Sequence, residues 1–368
     1  MILFFLSFFF SKVRVPYVLS FMLAGFIGKV LLPWDMEGVL NIFEHLAITL
    51  LFFFIGLSYS FERLRGMTKI IVPGLLGFFL NFFPPFILSY LFTKDLLLSF
   101  VISAVIYPTS TAITAKLLMD YKRLINPETE YIVGLLIFED LISIVLLSIL
   151  VGMSTEGRGD ILSFIRGFFA ILLLFGLFYS LRGISKKAFS YLDRKVEEEL
   201  IPFLVLGFLL LFSGVALKLS ISDALVAFML GVLVPEESKT FKTIEKYLLG
   251  LKELSVGVFF FMFTFHAKLS FDFNWWLFVL LLALSIFLKL LSTYWGAILY
   301  GLGKRVSMRA SLSFIQRGEF SVIFASFYEP TQSMAFLLVI LTAFLGSFSF
   351  VLAPKISQGL FPKTDKKF

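Results

Sequence analysis

Five ionisable side chains fall in the middle of long apolar stretches of this 368-residue sequence. Glu139 and Asp140 interrupt YIVGLLIFEDLISIVLLSIL, Lys289 interrupts FVLLLALSIFLKLLSTYWGAIL, and Arg317 and Glu319 interrupt SLSFIQRGEFSVIFASF. A charge at the centre of a membrane helix costs roughly 2.5–3.5 kcal/mol on insertion scales and usually marks function. Adjacent carboxylates on a helix diverge by roughly 100°. One of the pair can therefore face a basic partner while its neighbour faces a cavity, which suits a site that trades a cation for protons. The competing readings are structural. Glu139 and Asp140 can form a static ion pair with Lys289 and Arg317, and Lys289 can snorkel to an interface. Two residues apart on a regular helix, Arg317 and Glu319 diverge, so a structural role stays equally open for them.

Two stretches also carry breaks at the same depth. In LLLSFVISAVIYPTSTAITAKLL, Pro108 is followed by Thr109, Ser110 and Thr111. Proline removes a backbone donor and disfavours helical geometry at Tyr107. Unwound backbone inside a bilayer is tolerated where it lines a cavity or is covered by protein. The counterpart is Gln316-Arg317-Gly318-Glu319, where a polar cluster and a glycine open the helix. An ordinary kink is the plainer reading of Pro108. Half-helix ends that meet at the midplane present opposed dipoles, and Lys289 and Glu139–Asp140 are placed to compensate them.

The elements that must position these residues are membrane helices. Hydrophobic residues make up 59% of the chain and charged residues only 15%, against roughly 25% charged in soluble domains. Lipid is therefore part of the solvent. With a membrane helix needing roughly 20 apolar residues, thirteen spans are expected, at about 1–11, 15–32, 44–60, 69–92, 95–119, 130–152, 160–181, 199–217, 221–234, 247–266, 273–300, 307–328 and 333–353. Of the 32 Lys and Arg residues, 23 fall in one set of alternate loops and five in the other, the rest lying inside spans. The positive-inside rule then puts the C-terminus in the cytoplasm and the N-terminus outside. The charged loops read as a solvated cytoplasmic face. There are no cysteines and only two histidines, His45 and His266. That excludes disulfides, thiolate metal sites and cysteine nucleophiles, and argues against a His-rich metal centre. The net charge of +7 reflects loop bias in a membrane chain rather than nucleic-acid binding.

The broken spans are the fifth and the twelfth. An odd separation runs them in opposite directions, and interrupted spans at matching places in two inverted halves point to a transporter site. The whole pattern resembles the cation/proton antiporter superfamily, in particular the monovalent cation/proton antiporter-2 branch with its Kef-type and NapA-type members. The marks are VPYVLSFMLAGFIGK, YPTSTAITAKLL, GLLIFEDLISIVLL, SDALVAFMLGVLV, LKLLSTYWGAILYGLG and SLSFIQRGEF, in that order. The resemblance implies that Asp140 binds the cation or protons, that Lys289 pairs with the carboxylate site, and that Thr109 to Thr111 form the unwound crossover. Glu139 departs from the pattern: that position is Asp in NapA-like members, Asn in electroneutral ones and Gln in Kef-type ones. Ligand-gated control of the Kef kind, through a cytoplasmic regulatory domain, is not expected.

The expected architecture is an all-α polytopic membrane protein with inverted repeats and two broken crossing helices. A scaffold and dimerisation part comprises residues 1–60 and 199–266. An ion-transport core comprises 69–153 and 273–353, with a linking helix at 160–181 and a cytoplasmic tail at 354–368. Alternating-access exchange of Na⁺ or K⁺ for H⁺ is expected, with the monovalent cation at Asp140 and no cofactor. Ion or proton binding falls to Asp140, Glu139, Thr109, Ser110 and Thr111, charge compensation to Lys289, Arg317 and Glu319, and the helix breaks to Pro108 and Gly318. A homodimer in a bacterial or archaeal cell membrane is implied, with Gly25 and Gly28 easing helix approach. Cation binding that also frees the Lys289 proton makes the exchange electrogenic. The alternatives are a sodium-coupled symporter of an organic anion, a cation channel, and a membrane sensor or scaffold.

Overall fold

The computed structural model describes residues 1–12, 17–31, 37–57, 68–155, 176, 180–218, 223–267, 270 and 272–362. Every regular element among them is a helix. In chain order they are α1 (Ile2–Lys12), α2 (Tyr17–Leu31), α3 (Glu37–Leu57), α4 (Thr68–Thr93), α5 (Leu96–Ile106), α6 (Thr111–Asp120) and α7 (Pro127–Thr155). Residues 180–195 form α8. Then follow α9 (Ile201–Lys218), α10 (Asp223–Val232), α11 (Lys239–His266), α12 (Trp275–Tyr300), α13 (Lys304–Leu312), α14 (Glu319–Ser326) and α15 (Gln332–Leu360). Six segments among the described residues are long and apolar enough to cross a membrane. The linking span expected at 160–181 lies almost wholly outside the described residues.

The chain divides into two compact units. The first holds Met1–Ala24, Met67–Leu150 and His266–Phe368. Here α4 packs on α5 and α12, α12 on α13, and α14 on α5 and α15. Its interior is apolar where helices meet, with Val101, Ala104, Leu281, Phe324 and Val339 buried. Its outer faces carry exposed Phe79, Trp276, Phe344 and Phe348, as lipid-facing helices do. The short polar break expected at Thr93–Asp95 is a real boundary. Lys94 adopts a left-handed conformation (φ 56°), and Asp95 Oδ1 accepts the Leu98 amide at 2.9 Å, capping α5. Residues 1–24, which the sequence groups with 199–266, lie in this first unit instead. Ser7 and Ser20 hydroxyls meet at 2.9 Å, and Lys116 on α6 sits 4.8 Å from the Tyr17 ring.

The second unit holds Gly25–Gly66 and Val151–Phe265. Its α3 and α10 approach at backbone distance. A Cβ at Gly56 would lie 2.0 Å from Phe228 O, and one at Gly231 would lie 2.2 Å from Phe53 O. Small residues are what let membrane helices come this close. Gly25 is filled from within the same unit, since a Cβ there would meet Thr264 Oγ1 at 2.0 Å and Phe261 O at 2.1 Å. Gly25 thus eases the approach of α2 to α11 within the chain.

Candidate functional site

The two breaks are built differently and cross. α5 ends at Ile106, Pro108 has no N–H to continue the ladder, and α6 restarts at Thr111 with Ser110 Oγ accepting the Ile113 amide at 3.2 Å. α13 ends at Leu312 and α14 restarts at Glu319, leaving 313–318 non-helical. The Ser110 amide donates to Gln316 O at 2.8 Å. Gln316 Nε2 donates to Thr114 Oγ1 at 2.8 Å. Each break thus satisfies backbone and side-chain groups that the other exposes, which the bilayer core demands. Gly318 is the point of closest approach: a Cβ there would sit 2.3 Å from Ser110 Oγ and 2.4 Å from Ser110 Cβ. Gly318→Ala is accordingly expected to force the crossing apart at a cost of about 1–3 kcal/mol, read as a lowered melting temperature in detergent; an unchanged melting point refutes it.

The carboxylates sort themselves around these breaks. Glu139 Oε1 accepts Lys289 Nζ at 2.7 Å, and its Oε2 accepts the Thr109 amide at 2.8 Å. Lys289 Nζ also donates to Tyr107 O at 2.7 Å, placing its charge at the carbonyl end of α5. The ammonium lies 5.5 Å from the Tyr107 ring and 5.4 Å from the Phe314 ring. Glu319 Oε1 accepts the Ala112 amide at 2.8 Å and its Oε2 accepts Ser110 Oγ at 2.6 Å, so its charge meets the amide end of α6. Cations at helix C-termini and anions at N-termini are the favourable pairing. Asp140 points elsewhere: its Oδ2 accepts Thr111 Oγ1 at 2.9 Å. Asp140 is nearly buried, whereas Thr111 and Glu319 are partly exposed.

Among the residues singled out in the sequence, Glu139, Lys289 and Thr109 come together, Asp140 joins Thr111, and Glu319 joins Ser110 and the start of α6. Thr109 takes part through its backbone amide; its hydroxyl has no hydrogen-bond partner among the described residues. Arg317 stands apart. It is fully buried, its guanidinium donates to Ile315 O at 3.2 Å and Ser285 O at 3.3 Å, and it forms no ion pair with a described carboxylate.

Two polar features escape the sequence reading. Asn81 on α4 donates to Ser292 Oγ at 2.8 Å on the helix that carries Lys289; a lone Asn among phenylalanines was the available signal. The other lies at the foot of α7. Glu128, fully buried, accepts Arg123 at 2.9 Å and also Arg309. Arg123 further donates to Ser313 Oγ at 2.9 Å and Phe350 O at 3.1 Å. Arg123 reads in the sequence as a solvated loop charge; the structure buries it, because its guanidinium ties the α6–α7 turn to α13 and α15.

The arrangement offers hard oxygen ligands, a carboxylate and a hydroxyl, beside a second carboxylate already held by a lysine. Comparison with known proteins bears on what it serves. The family model described as sodium/hydrogen exchanger, transmembrane, matches residues 1–356. The chain is 32% identical over its whole length to the ammonium/H⁺ antiporter subunit AmhT of Alkalihalophilus pseudofirmus, covering 94% of that protein. It is 29% identical to the K⁺/H⁺ antiporter subunit KhtU of Bacillus subtilis, over 90% of this chain and 82% of that one. In fold it is similar to the sodium proton antiporter MjNhaP1 from Methanocaldococcus jannaschii, with a TM-score of 0.66, 16% identity, and 97% of this chain and 93% of that one covered. With its family model spanning all but the last dozen residues, the chain belongs to the transmembrane sodium/hydrogen exchangers, a family of transporters and not of enzymes.

Proposed function

We propose that the protein exchanges a monovalent cation for H⁺ by alternating access, with Asp140 as the carrier of both. The observation that supports this most directly is the division of labour between adjacent carboxylates. Glu139 has both oxygens engaged by Lys289 and Thr109, while Asp140 faces Thr111 at the edge of the crossing. Na⁺ and K⁺ are the expected cations, and the relatives add NH₄⁺ as a third candidate. About thirteen spans arranged as inverted repeats, with the C-terminus in the cytoplasm, complete the reading. A homodimer through the second unit belongs to it as well.

Cation binding at Asp140 draws on the same interior that holds Lys289. When the loaded site no longer needs the lysine's charge, its proton leaves, and net charge moves. Reconstitution into liposomes with an internal pH reporter tests the proposal. Imposed Na⁺, K⁺ or NH₄⁺ gradients are expected to drive proton movement above that of protein-free vesicles. Cation flux with no accompanying proton movement in the opposite direction overturns antiport.

A further inference from the structure

We infer that one face of α15, formed by Thr342, Gly346 and Ser349, sets the shape of the break at 313–318 and thereby holds Thr111 in place beside Asp140, with Thr342 as the principal positioning residue. The inference rests on the exchange reading above.

The non-helical run at 313–318 leaves backbone groups that neighbouring elements must satisfy inside a bilayer. α15 takes both ends of it. Ser349 Oγ donates to the carbonyl of Leu312, the last residue of α13, at 2.7 Å. Thr342 Oγ1 accepts the Arg317 amide at 3.2 Å. Between them, Gly346 admits the Gln316 backbone: a Cβ there would lie 2.8 Å from Gln316 N and 2.7 Å from Gln316 Oε1. Positions spaced by four and then three residues share one helix face. They meet the break in reverse chain order, 342 with 317, 346 with 316 and 349 with 312. Seven residues of helix span about 10 Å, so the break is held along two turns and not at one point. Next to Ser349, Phe350 O accepts Arg123 at 3.1 Å, and Arg123 donates on to Ser313 Oγ at 2.9 Å. The opposite side of α15 carries exposed Phe344 and Phe348.

Thr342 is placed to act on the ion site through the break. Its hydroxyl donates to Leu338 O at 2.7 Å, a back-bond that leaves its oxygen as the acceptor for the Arg317 amide. Downstream of that amide, Gly318 lies against Ser110, and Glu319 accepts the Ala112 amide and the Ser110 hydroxyl. Upstream of it, Gln316 O accepts the Ser110 amide at 2.8 Å. All these contacts fall on the residues that flank Thr111, whose hydroxyl donates to Asp140 Oδ2 at 2.9 Å. Ordinary helix packing is the plainer reading of this face. Packing alone is served by apolar residues, as buried Leu338, Val339 and Ala343 serve it on the same helix. Thr342 and Ser349 instead bond main-chain groups at the two limits of the break. Without the Thr342 oxygen, the buried Arg317 amide must seek another acceptor, and Ser110–Ala112 move with the segment that holds them.

Exchange kinetics in liposomes test this, with half-saturating cation concentration and maximal rate measured separately. Na⁺, K⁺ and NH₄⁺ are each titrated. Thr342→Val keeps the shape of the side chain and removes the acceptor. For whichever cation drives exchange in the wild type, its half-saturating concentration is expected to rise about three- to tenfold, as the loss of one net hydrogen bond does. The maximal rate per folded protein is expected to change little. Thr342→Ser, which keeps the hydroxyl, is expected to restore the wild-type value. A merely structural role gives the opposite split, with fewer active molecules, a lower maximal rate and unchanged half-saturation. A folded Thr342→Val protein with wild-type half-saturation, or Thr342→Ser as impaired as Thr342→Val, overturns the inference. If Thr342→Val does not fold, Ser349→Ala, at the half-buried end of the same face, decides by the same split. Absence of cation-driven proton movement in the wild type overturns the exchange reading and the inference with it, whereas wild-type exchange beside an unaltered Thr342→Val overturns the inference alone.

Discussion

Asp140→Asn is expected to reduce cation-driven proton movement to that of empty vesicles, while the protein remains folded and inserted. The amide is nearly isosteric with the carboxylate and still accepts the Thr111 hydroxyl bond seen at 2.9 Å. What it loses is the charge that, in the proposed exchange, alternates between a proton and a cation. No neighbour substitutes for it. Glu139 is engaged by Lys289 and the Thr109 amide, and Glu319 holds the start of α6. A fall of at least about a hundredfold is anticipated, or ~2.7 kcal/mol of barrier. Exchange at the wild-type rate by a well-folded Asp140→Asn protein removes Asp140 from the carrier role.

Glu128→Gln should produce the largest loss of stability. Glu128 has no solvent exposure and lies between Arg123 and Arg309. Its replacement leaves two guanidinium groups at the foot of α7 without the counter-charge that pairs them among the described residues. Breaking a buried pair by removing one partner costs about 3–5 kcal/mol. A large drop in melting temperature is the expected readout, and Arg309→Gln in the same protein should recover part of it, since the two sites are in contact. A melting point within a degree or two of the wild type contradicts the assignment. The pH dependence has a definite sign. Burial alone raises the proton affinity of Glu128, but the bonds from Arg309 and Arg123 outweigh it and hold the carboxyl below its ordinary value. A depressed carboxyl contributes stability that is full above the unfolded glutamate value, about 4.3. That contribution is lost as pH falls through the lower folded value. Acid sensitivity of the wild type should therefore be blunted in Glu128→Gln.

The breaks were legible because Pro108 and the polar Gln316–Glu319 run interrupt apolar helices, and hydropathy is a strong signal at that depth. The charges Glu139, Asp140 and Lys289 stood out for the same reason. What the sequence hides is which charge faces which. The assignment of Glu319 to the amide end of α6, and of Arg317 to two carbonyls, depends on helices that meet from distant parts of the chain. Arg123 and Glu128 were hidden by a different cause. Charges at the end of a span read as solvated whether they point to water or fold inward. Only the turn at Tyr121–Asn126, which sends Arg123 under α7, tells them apart. At Gly25 the sequence shows a small residue that eases helix approach but not which helix fills the space beside it, here α11 of the same chain.

The crossing has a consequence for how the molecule is made. Ser110 and Glu319, which bond across it, are 209 residues apart in the chain. When α5 and α6 enter the bilayer, the Ser110 and Ala112 amides have no acceptor, because Gln316 and Glu319 have not yet been synthesised. The first half of the site must wait, its open backbone shielded by lipid-borne water or by the insertion machinery, until the later segment arrives. Biogenesis therefore finishes with the crossing of the two breaks instead of starting from it. A chain halted partway holds Asp140 and Thr111 in the membrane without the later segment that bonds to Ser110 and Ala112.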